Sequence, residues 1–192
     1  LMLAALSAVA FGAQADTLHK IRADKKIRVS IDLAVPPSGM TDANMKPTGS
    51  DYDVAVLLAK DLGVALEVVP TVGATRIPNL QTGKADIIIS TLAWTPERAK
   101  VIDYSIPYAP QISLVGGIKS ANVKSMADLA GKSVAVNRST TQDTDLTQNA
   151  KGATVVRYDD DAGVITAVVT GQADLVGTSN ALFQTMKEKA PN

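Results

Sequence analysis

The sequence predicts a two-lobed α/β protein, and three observations carry that reading. From Lys26 onward, short β-branched runs alternate with helical patterns. The alternation breaks at Gly116-Gly117 and then starts afresh. One phrase, Thr82-Gly83-Lys84-Ala85-Asp86-Ile87, returns as Thr170-Gly171-Gln172-Ala173-Asp174-Leu175 at the corresponding place in the second series. Strand–helix–strand alternation is the rhythm of a parallel sheet covered by helices. Two such series, each with the same turn, make two similar lobes a better reading than one long sheet.

In the first series Ile27 to Ile31 reads as a strand, and Asp51 to Leu62 spaces its apolar residues as a helix, with Gly63 as its cap. Val64 to Val69 is the next strand, stopped by Pro70. Arg76 to Thr82 follows as a short helix, and Ala85 to Ile89 is apolar enough for a strand buried on both faces. The segment Gln111 to Lys119 is β-prone and glycine-containing, as expected of a strand crossing between lobes and serving as a hinge. An ordinary strand ending in a loop is the alternative.

The second series opens with a short helix at Met126–Leu129 and a strand at Ser133–Val136. A helix at Thr141–Ala150, a strand at Thr154–Tyr158 and a helix at Ala162–Thr170 follow. A strand at Ala173–Val176 and a helix at Asn180–Lys189 complete it. The expected lobes are therefore residues 16–115 and 116–192.

Residues 1–15 belong to neither. Leu1 to Gly12 is an apolar run followed by Ala13-Gln14-Ala15, the pattern that ends a secretory signal peptide, with cleavage before Asp16. It is shorter than the roughly 20 apolar residues needed to cross a bilayer. With neither a basic stretch nor a methionine ahead of Leu1, the leader is expected to be clipped. The mature protein is expected to be soluble and exported.

Composition excludes several classes. The 19 basic residues balance 19 acidic ones, so no surplus of positive charge points to nucleic acid. The absence of cysteine removes disulfides, thiolate metal sites and a cysteine nucleophile. The one histidine, His19, lies among polar residues and reads as a solvated helix position. No glycine-rich turn follows the first strand, where Asp32-Leu33-Ala34-Val35-Pro36-Pro37 stands instead, so dinucleotide binding is not expected. Paired-carboxylate hydrolysis stays open, because the aspartates are many and unplaced by spacing alone.

The informative residues are polar clusters just past strand ends, where open parallel sheets bind ligands. Asp32 follows the first strand. Ser90-Thr91 follows the strand ending at Ile89, with Thr95-Pro96-Glu97-Arg98 close behind. In the second series Arg138 to Gln142 and Thr178-Ser179-Asn180 follow strands. Thr95 suits an N-cap and Pro96 a first helical turn. Arg98 would then lie at the positive end of a helix dipole, a cost that a carboxylate ligand would offset. Its alternative is a surface pair with Glu97 or Asp103. Thr140 and Thr141 could offer hydroxyls and backbone N–H groups to an anion, or simply cap a helix. Trp94 fits the core or the mouth of a cleft equally well.

These residues together resemble a known family, the periplasmic polar amino-acid-binding proteins of ABC importers (extracellular solute-binding proteins, family 3). Ile27–Pro37, Pro47–Asp53, Ile77–Gly83 and Ala85–Ser90 fall in that family's order. Thr95-Pro96-Glu97-Arg98 followed by Asp103-Tyr104-Ser105-Ile106-Pro107-Tyr108 is the most specific passage, and Met126–Lys132, Val134–Val136 and Gly171–Asp174 continue the match. The resemblance implies a type II periplasmic-binding-protein fold that captures a small ligand, an amino acid or related carboxylate. It implies delivery to an ABC-transporter permease in the inner membrane, by a periplasmic monomer that is not an enzyme and needs no cofactor. An enzyme on the same scaffold is the competitor: a periplasmic dehydratase, or the binding module of a lytic transglycosylase. A sensor module feeding a membrane kinase is a third reading.

By the same resemblance Arg98 grips the ligand's α-carboxylate and Thr141 helps, with Thr140 beside it. Ser90 and Thr91 contact the ligand from the first lobe, and Asp32 is a first-strand aspartate used by some members. Three positions depart from the family. Val35 and Gly73 replace aromatic rings that sandwich a ligand side chain, and Ser179 replaces the aspartate that holds the ammonium group, leaving Asp32 or Asn180 as substitutes. These departures imply poor binding of arginine, lysine and histidine compared with smaller or acidic polar amino acids or related carboxylates. The family's chain also returns from the second lobe to the first, so a sequence stopping at Pro191-Asn192 is expected to be truncated within or just after the second lobe, with impaired solubility and binding.

Overall fold

The computed structural model describes residues 16–189; the leader expected over residues 1–15 lies outside that span, as do residues 190–192. The first lobe opens with α1 (Thr17–Asp24), capped by the Asp16 carboxylate, which accepts the Leu18 N–H at 3.1 Å. His19 stands exposed on this helix. Strand β1 (Lys26–Ile31) follows, then a small antiparallel hairpin of β2 (Met40–Thr41) and β3 (Pro47–Thr48), which had no clear sequence signal. Helix α2 (Ser50–Leu62), β4 (Ala65–Pro70), α3 (Arg76–Gln81) and β5 (Ile87–Ile88) complete the unit.

β1 is the middle of a parallel sheet ordered β4-β1-β5. Its Ile27, Val29, Ser30 and Ile31 are all buried, as a strand covered on both faces requires. Ala55 and Ala59 of α2, one turn apart, are small enough to let the helix lie close against Ile27, Val29 and Ile31. β4 ends at Pro70, as the sequence had suggested, with the proline as its last residue. Pro70 pairs with Ile31 at the last position of an edge strand, where its missing N–H costs no ladder bond. The strand expected over Ala85–Ile89 is shorter and less covered than its composition suggests. β5 flanks the sheet among the described residues, and Ile87 and Ile88 are only half-buried. The helix expected after Thr95-Pro96 is a single 3-10 turn, Arg98–Lys100. Thr95 does cap it, its Oγ accepting the Arg98 N–H at 3.2 Å. Beyond that turn, Pro107 and Pro110 remove two backbone donors and the chain runs on without regular structure to Ile112.

The second lobe contains β6 (Ser113–Gly117), a 3-10 turn at Met126–Leu129, β7 (Ser133–Asn137), α4 (Thr141–Asn149) and β8 (Thr154–Tyr158). It ends with α5 (Asp161–Val169), β9 (Leu175–Ser179) and α6 (Asn180–Lys189). The sheet order is β6-β9-β7-β8, with β6 antiparallel and the rest parallel. All of β6 pairs with β9, so the chain has entered the second sheet by Ser113 and the boundary expected at 115/116 falls inside that strand. β9 starts later than the expected Ala173–Val176, because Asp174 is held in the preceding turn by Ser133. It runs on through Gly177-Thr178-Ser179, three buried residues whose polarity hid them as strand.

Alternation along β7 sends Val134 and Val136 to one core with Leu129, Leu146 and Leu175. It sends Ala135 to the other, with Val164, Ala167 and Val176. Among the described residues, no helix is long and apolar enough to cross a membrane. The result is the two-lobed α/β fold that the alternation predicted.

Candidate functional site

The two lobes meet at a polar cleft that is partly open to solvent. Its polar walls come from the carboxyl ends of the parallel strands in both lobes, as the geometry of such sheets dictates. Asp32 follows β1, Thr91 follows β5, Thr140 and Thr141 follow β7, and Ser179 ends β9. Arg98, from the turn after β5, joins them. Six of the seven residues singled out from sequence therefore share one cleft.

Ser90 stands behind the wall. It is buried, its hydroxyl accepts the Asp32 N–H at 2.9 Å, and its carbonyl accepts an N–H of Arg76 at 2.8 Å. It therefore positions two residues that do line the cleft.

Arg98 is held at both ends of its guanidinium. One nitrogen donates to the Ala93 carbonyl at 2.8 Å and the other to the Ser139 carbonyl of the second lobe at 2.9 Å. Neither Glu97 nor Asp103 pairs with it. A guanidinium has five N–H groups, so this anchoring leaves donors for an incoming carboxylate. Thr140 caps α4: it accepts the Asp143 N–H at 3.2 Å and donates to the Asn137 carbonyl at 2.7 Å. Its hydroxyl is thus committed to structure, whereas the Thr141 hydroxyl has only a 3.3 Å contact with the side chain of Gln142. The Ser179 hydroxyl accepts the Leu182 N–H at 3.2 Å and caps α6. Asn180, the other substitute considered at that point, accepts the Ile112 N–H and does not line the cleft.

Two charged residues of the cleft were missed from sequence, Arg76 and Asp161. Arg76 opens α3 after β4, and Asp161 opens α5 after β8. The rule that found the others, applied to every parallel strand, would have found both. Arg76 is only 5% exposed, and burial pushes its guanidinium below its ordinary pKa. Burial also raises Asp32, against the Ala34 N–H it accepts at 3.0 Å and the nearby charge of Arg76. Asp161 is pushed up to about 6, again chiefly by desolvation, with Asp32 adding to the rise and the Asn137 side chain and Arg76 opposing it. Asn137, also among the cleft's lining residues, is 3% exposed, and its side-chain oxygen has no hydrogen-bond partner among the described residues.

Gly73 shows how closely the lobes approach. A Cβ there would lie 2.7 Å from the Arg138 carbonyl oxygen and 2.8 Å from Asn137 Oδ1, both in the second lobe. A larger side chain at this position is incompatible with the observed contact. Beside the cleft runs a wider groove that shares Thr91, Ala93, Gln111 and Ser179 with it. Trp94 lines this groove at 61% exposure, so it is neither core nor part of the cleft wall itself.

Comparison with known proteins agrees with this architecture. Residues 27–190 match the model of the bacterial extracellular solute-binding proteins, family 3. The glutamine-binding protein of Geobacillus stearothermophilus is 32% identical over 184 residues, covering 92% of this chain and 70% of its own. The L-cystine-binding protein TcyJ of Escherichia coli is 30% identical over 161 residues, covering 83% of this chain and 60% of its own. The chain thus spans between 60% and 70% of the length of these two relatives. Among solved structures, a mutant of ArgBP from T. maritima superposes with a TM-score of 0.87 at 32% identity, covering 92% of this chain and 77% of that one. An ancestral amino-acid-binding protein, a precursor of cyclohexadienyl dehydratase, gives 0.86 at 35% identity, with coverage of 91% and 79%. With the two lobes, the strand-end cleft and a family match over most of its length, this chain belongs to the bacterial extracellular solute-binding proteins of family 3.

Proposed function

We propose that the protein captures a small carboxylate-bearing ligand, an amino acid, between its lobes and hands it to the permease of an ABC importer. The observation that carries this reading is Arg98, a cleft guanidinium anchored by carbonyls of both lobes yet paired with no carboxylate among the described residues. Arginine's fork binds a carboxylate bidentately, and the start of α4 beside it, with Thr141, suits an anion. In this reading Asp32, Thr91, Thr140 and Ser179 complete the wall and Ser90 supports it. The division expected at residues 16–115 and 116–192, with the crossing moved ahead of Ser113, lets closure bury the ligand. The setting is periplasmic and the binding unit a monomer, without cofactor or nucleic acid.

Titration calorimetry with amino acids tests the reading. Arg98→Ala is expected to weaken binding about 100-fold or more, because it strands a desolvated carboxylate. Arg98→Lys is expected not to restore it, since an ammonium lacks the fork. Unchanged affinity in Arg98→Ala would remove the assignment.

An enzyme on this scaffold remains the second reading, favoured by one observation. Asp161, raised to about 6, is an acidic group poised near neutrality in the cleft, as acid catalysis requires. Nuclear magnetic resonance of a bound amino acid over time separates the two: a ligand that persists unchanged is carried, and one consumed catalytically is a substrate.

A further inference from the structure

Arg98 reaches the second lobe through the Ser139 carbonyl, and that carbonyl belongs to an unfavourable piece of backbone. Ser139 has φ 63°, the left-handed region that a Cβ disfavours. Five non-glycine residues among those described share a positive φ. Lys25 and Asn122 end helical turns, and Met45 lies in the hairpin between β2 and β3. Thr91 and Ser139 instead follow strands beside the cleft, one in each lobe. Strain of this kind persists only where the surroundings hold it in place.

The surroundings of Ser139 are specific. Its N–H donates to Asp143 Oδ2 at 3.0 Å. An ordinary capping box returns an acidic side chain to the N–H of the cap residue itself. The cap of α4 is Thr140, so Asp143 reaches one residue further back. Its other oxygen accepts Arg157 Nε at 2.8 Å, and Arg157 also donates to the Thr147 hydroxyl at 2.6 Å. The Asp143 side chain is 13% exposed, yet it lines neither the cleft nor the groove beside it. With the peptide before Ser139 held by Asp143 and α4 starting just beyond it, the direction of the Ser139 carbonyl is set.

We propose that Asp143 is a positioning residue for ligand capture: it holds Ser139 left-handed, so that the Ser139 carbonyl meets Arg98 across the cleft and keeps the guanidinium fork facing the ligand. This rests on the carboxylate-binding reading of Arg98 and extends it to a residue outside the cleft wall. Without the Asp143 carboxylate, Ser139 relaxes towards the conformations a Cβ prefers and its carbonyl turns away. Arg98 then loses its anchor on the second lobe, and closure loses a bond between lobes. A glycine at 139 has no such preference and needs no carboxylate to hold it.

Titration calorimetry with L-glutamine, L-cystine and L-arginine tests this, together with denaturant melts and small-angle scattering of the ligand-free protein. For any of the three that binds, Asp143→Ala is expected to weaken affinity about tenfold, the scale of one lost hydrogen bond. In a Ser139→Gly background, the same substitution is expected to cost less than about threefold further. Most of the stability lost with the Arg157 pair should stay lost in both backgrounds. A merely structural Asp143 would lower stability and leave affinity unchanged, or weaken binding equally in both.

Either of those results would overturn the proposal. If Arg98→Ala weakens binding and Asp143→Ala does not, the positioning role fails and the carboxylate reading stands. If Arg98→Ala leaves affinity unchanged, the carboxylate reading fails and the positioning role falls with it. If none of the three probes binds, the ligand-free lobes decide. Asp143→Ala and Arg98→Ala are each expected to widen the separation of the lobes, and the double variant to widen it no further. Additive widening, or none, would overturn the proposal.

Discussion

The two lobes use one device with different strength. In the first, the helix ending at Gln81 passes through Thr82 and Gly83 (φ 69°), and Asp86 then accepts the N–H of Arg28 at 2.8 Å. In the second, α5 passes through Thr170 and Gly171 (φ 74°), and Asp174 accepts the N–H of Ser133 at 2.7 Å. Glycine takes this left-handed conformation without the penalty that a Cβ imposes. Each aspartate thus ties the turn after a helix to the first residues of the lobe's central parallel strand. The surroundings differ. Asp86 also pairs with the Arg28 guanidinium, which donates to the Gly83 carbonyl at 2.6 Å, and its side chain is 6% exposed. Asp174 is joined only by the Ser133 hydroxyl at 2.7 Å, close to solvent. The repeated phrase encodes where the chain turns and what it ties down; the residue at the strand's start decides how strongly.

That difference can be broken directly. Asp86→Ala strands a partly buried guanidinium and is expected to destabilise the protein by about 3 kcal/mol. Asp174→Ala is expected to cost clearly less, and paired denaturant melts check the ranking. Equal losses would mean that the turn geometry, not the ion pair, carries the stability. Acid should separate them further. Desolvation works against the charged form of Asp86, but the Arg28 side-chain and backbone hydrogen bonds outweigh it and hold its pKa below the ordinary value. Its contribution is therefore present above the usual carboxylate range and is lost as pH falls through the lowered folded pKa. In Asp86→Ala, that part of the acid sensitivity should be missing.

The same comparison shows what the sequence made legible. The echo of Thr82–Ile87 in Thr170–Leu175 revealed two lobes because turn chemistry is local: a glycine with positive φ and an aspartate leave a mark readable without partners. Strands with apolar runs, such as β1 and β8, were legible for the same reason. β9 was legible only at its start, since Gly177, Thr178 and Ser179 look like a loop until a four-stranded sheet buries them. The hairpin of β2 and β3 is two residues per strand and carries no periodicity. In the cleft, Arg98 and Asp32 stood out because they follow apolar strands or lie within a family-like passage. Arg76 and Asp161 did not, because each opens a helix and reads as an ordinary surface charge unless the strand-end rule is also applied to β4 and β8. The meeting of the two lobes brings both to one cleft.

Closure is the next point at which the lobes can be told apart. Gly73 belongs to the first lobe, yet a Cβ there would collide with the Arg138 carbonyl and the Asn137 side chain of the second. Within its own lobe, the closest atom to that Cβ is a terminal nitrogen of Arg76 at 3.4 Å, which can shift. Gly73→Ala is therefore expected to leave the stability of the separate lobes intact and to hold them further apart. Ligand affinity should fall about tenfold, on the order of 1.4 kcal/mol. Small-angle scattering with and without an amino acid that binds, together with calorimetry, would check it. Unchanged affinity would show that ligand capture does not require the contact seen at Gly73.

The smallest expected effect has the opposite sign. Asp161 in the second lobe is raised from its ordinary 3.8 to about 6, mainly because burial opposes its charge. A carboxyl group that binds protons more tightly when folded opposes folding once it must ionise, so its contribution worsens as pH rises from about 4 to 6. Two pKa units correspond to about 3 kcal/mol. Because Asp161 is only half-buried, solvent screening reduces the figure to about 1 kcal/mol. The ligand-free Asp161→Asn variant is thus expected to be more stable than the unaltered protein at pH 7, by about 1 kcal/mol or a few degrees in melting temperature. The advantage should shrink towards pH 4, where the aspartate is itself protonated. Thermal melts at the two pH values check this. A variant less stable at pH 7 would show that Asp161 supports the fold through Arg76 or Asn137, rather than being held charged at the fold's expense.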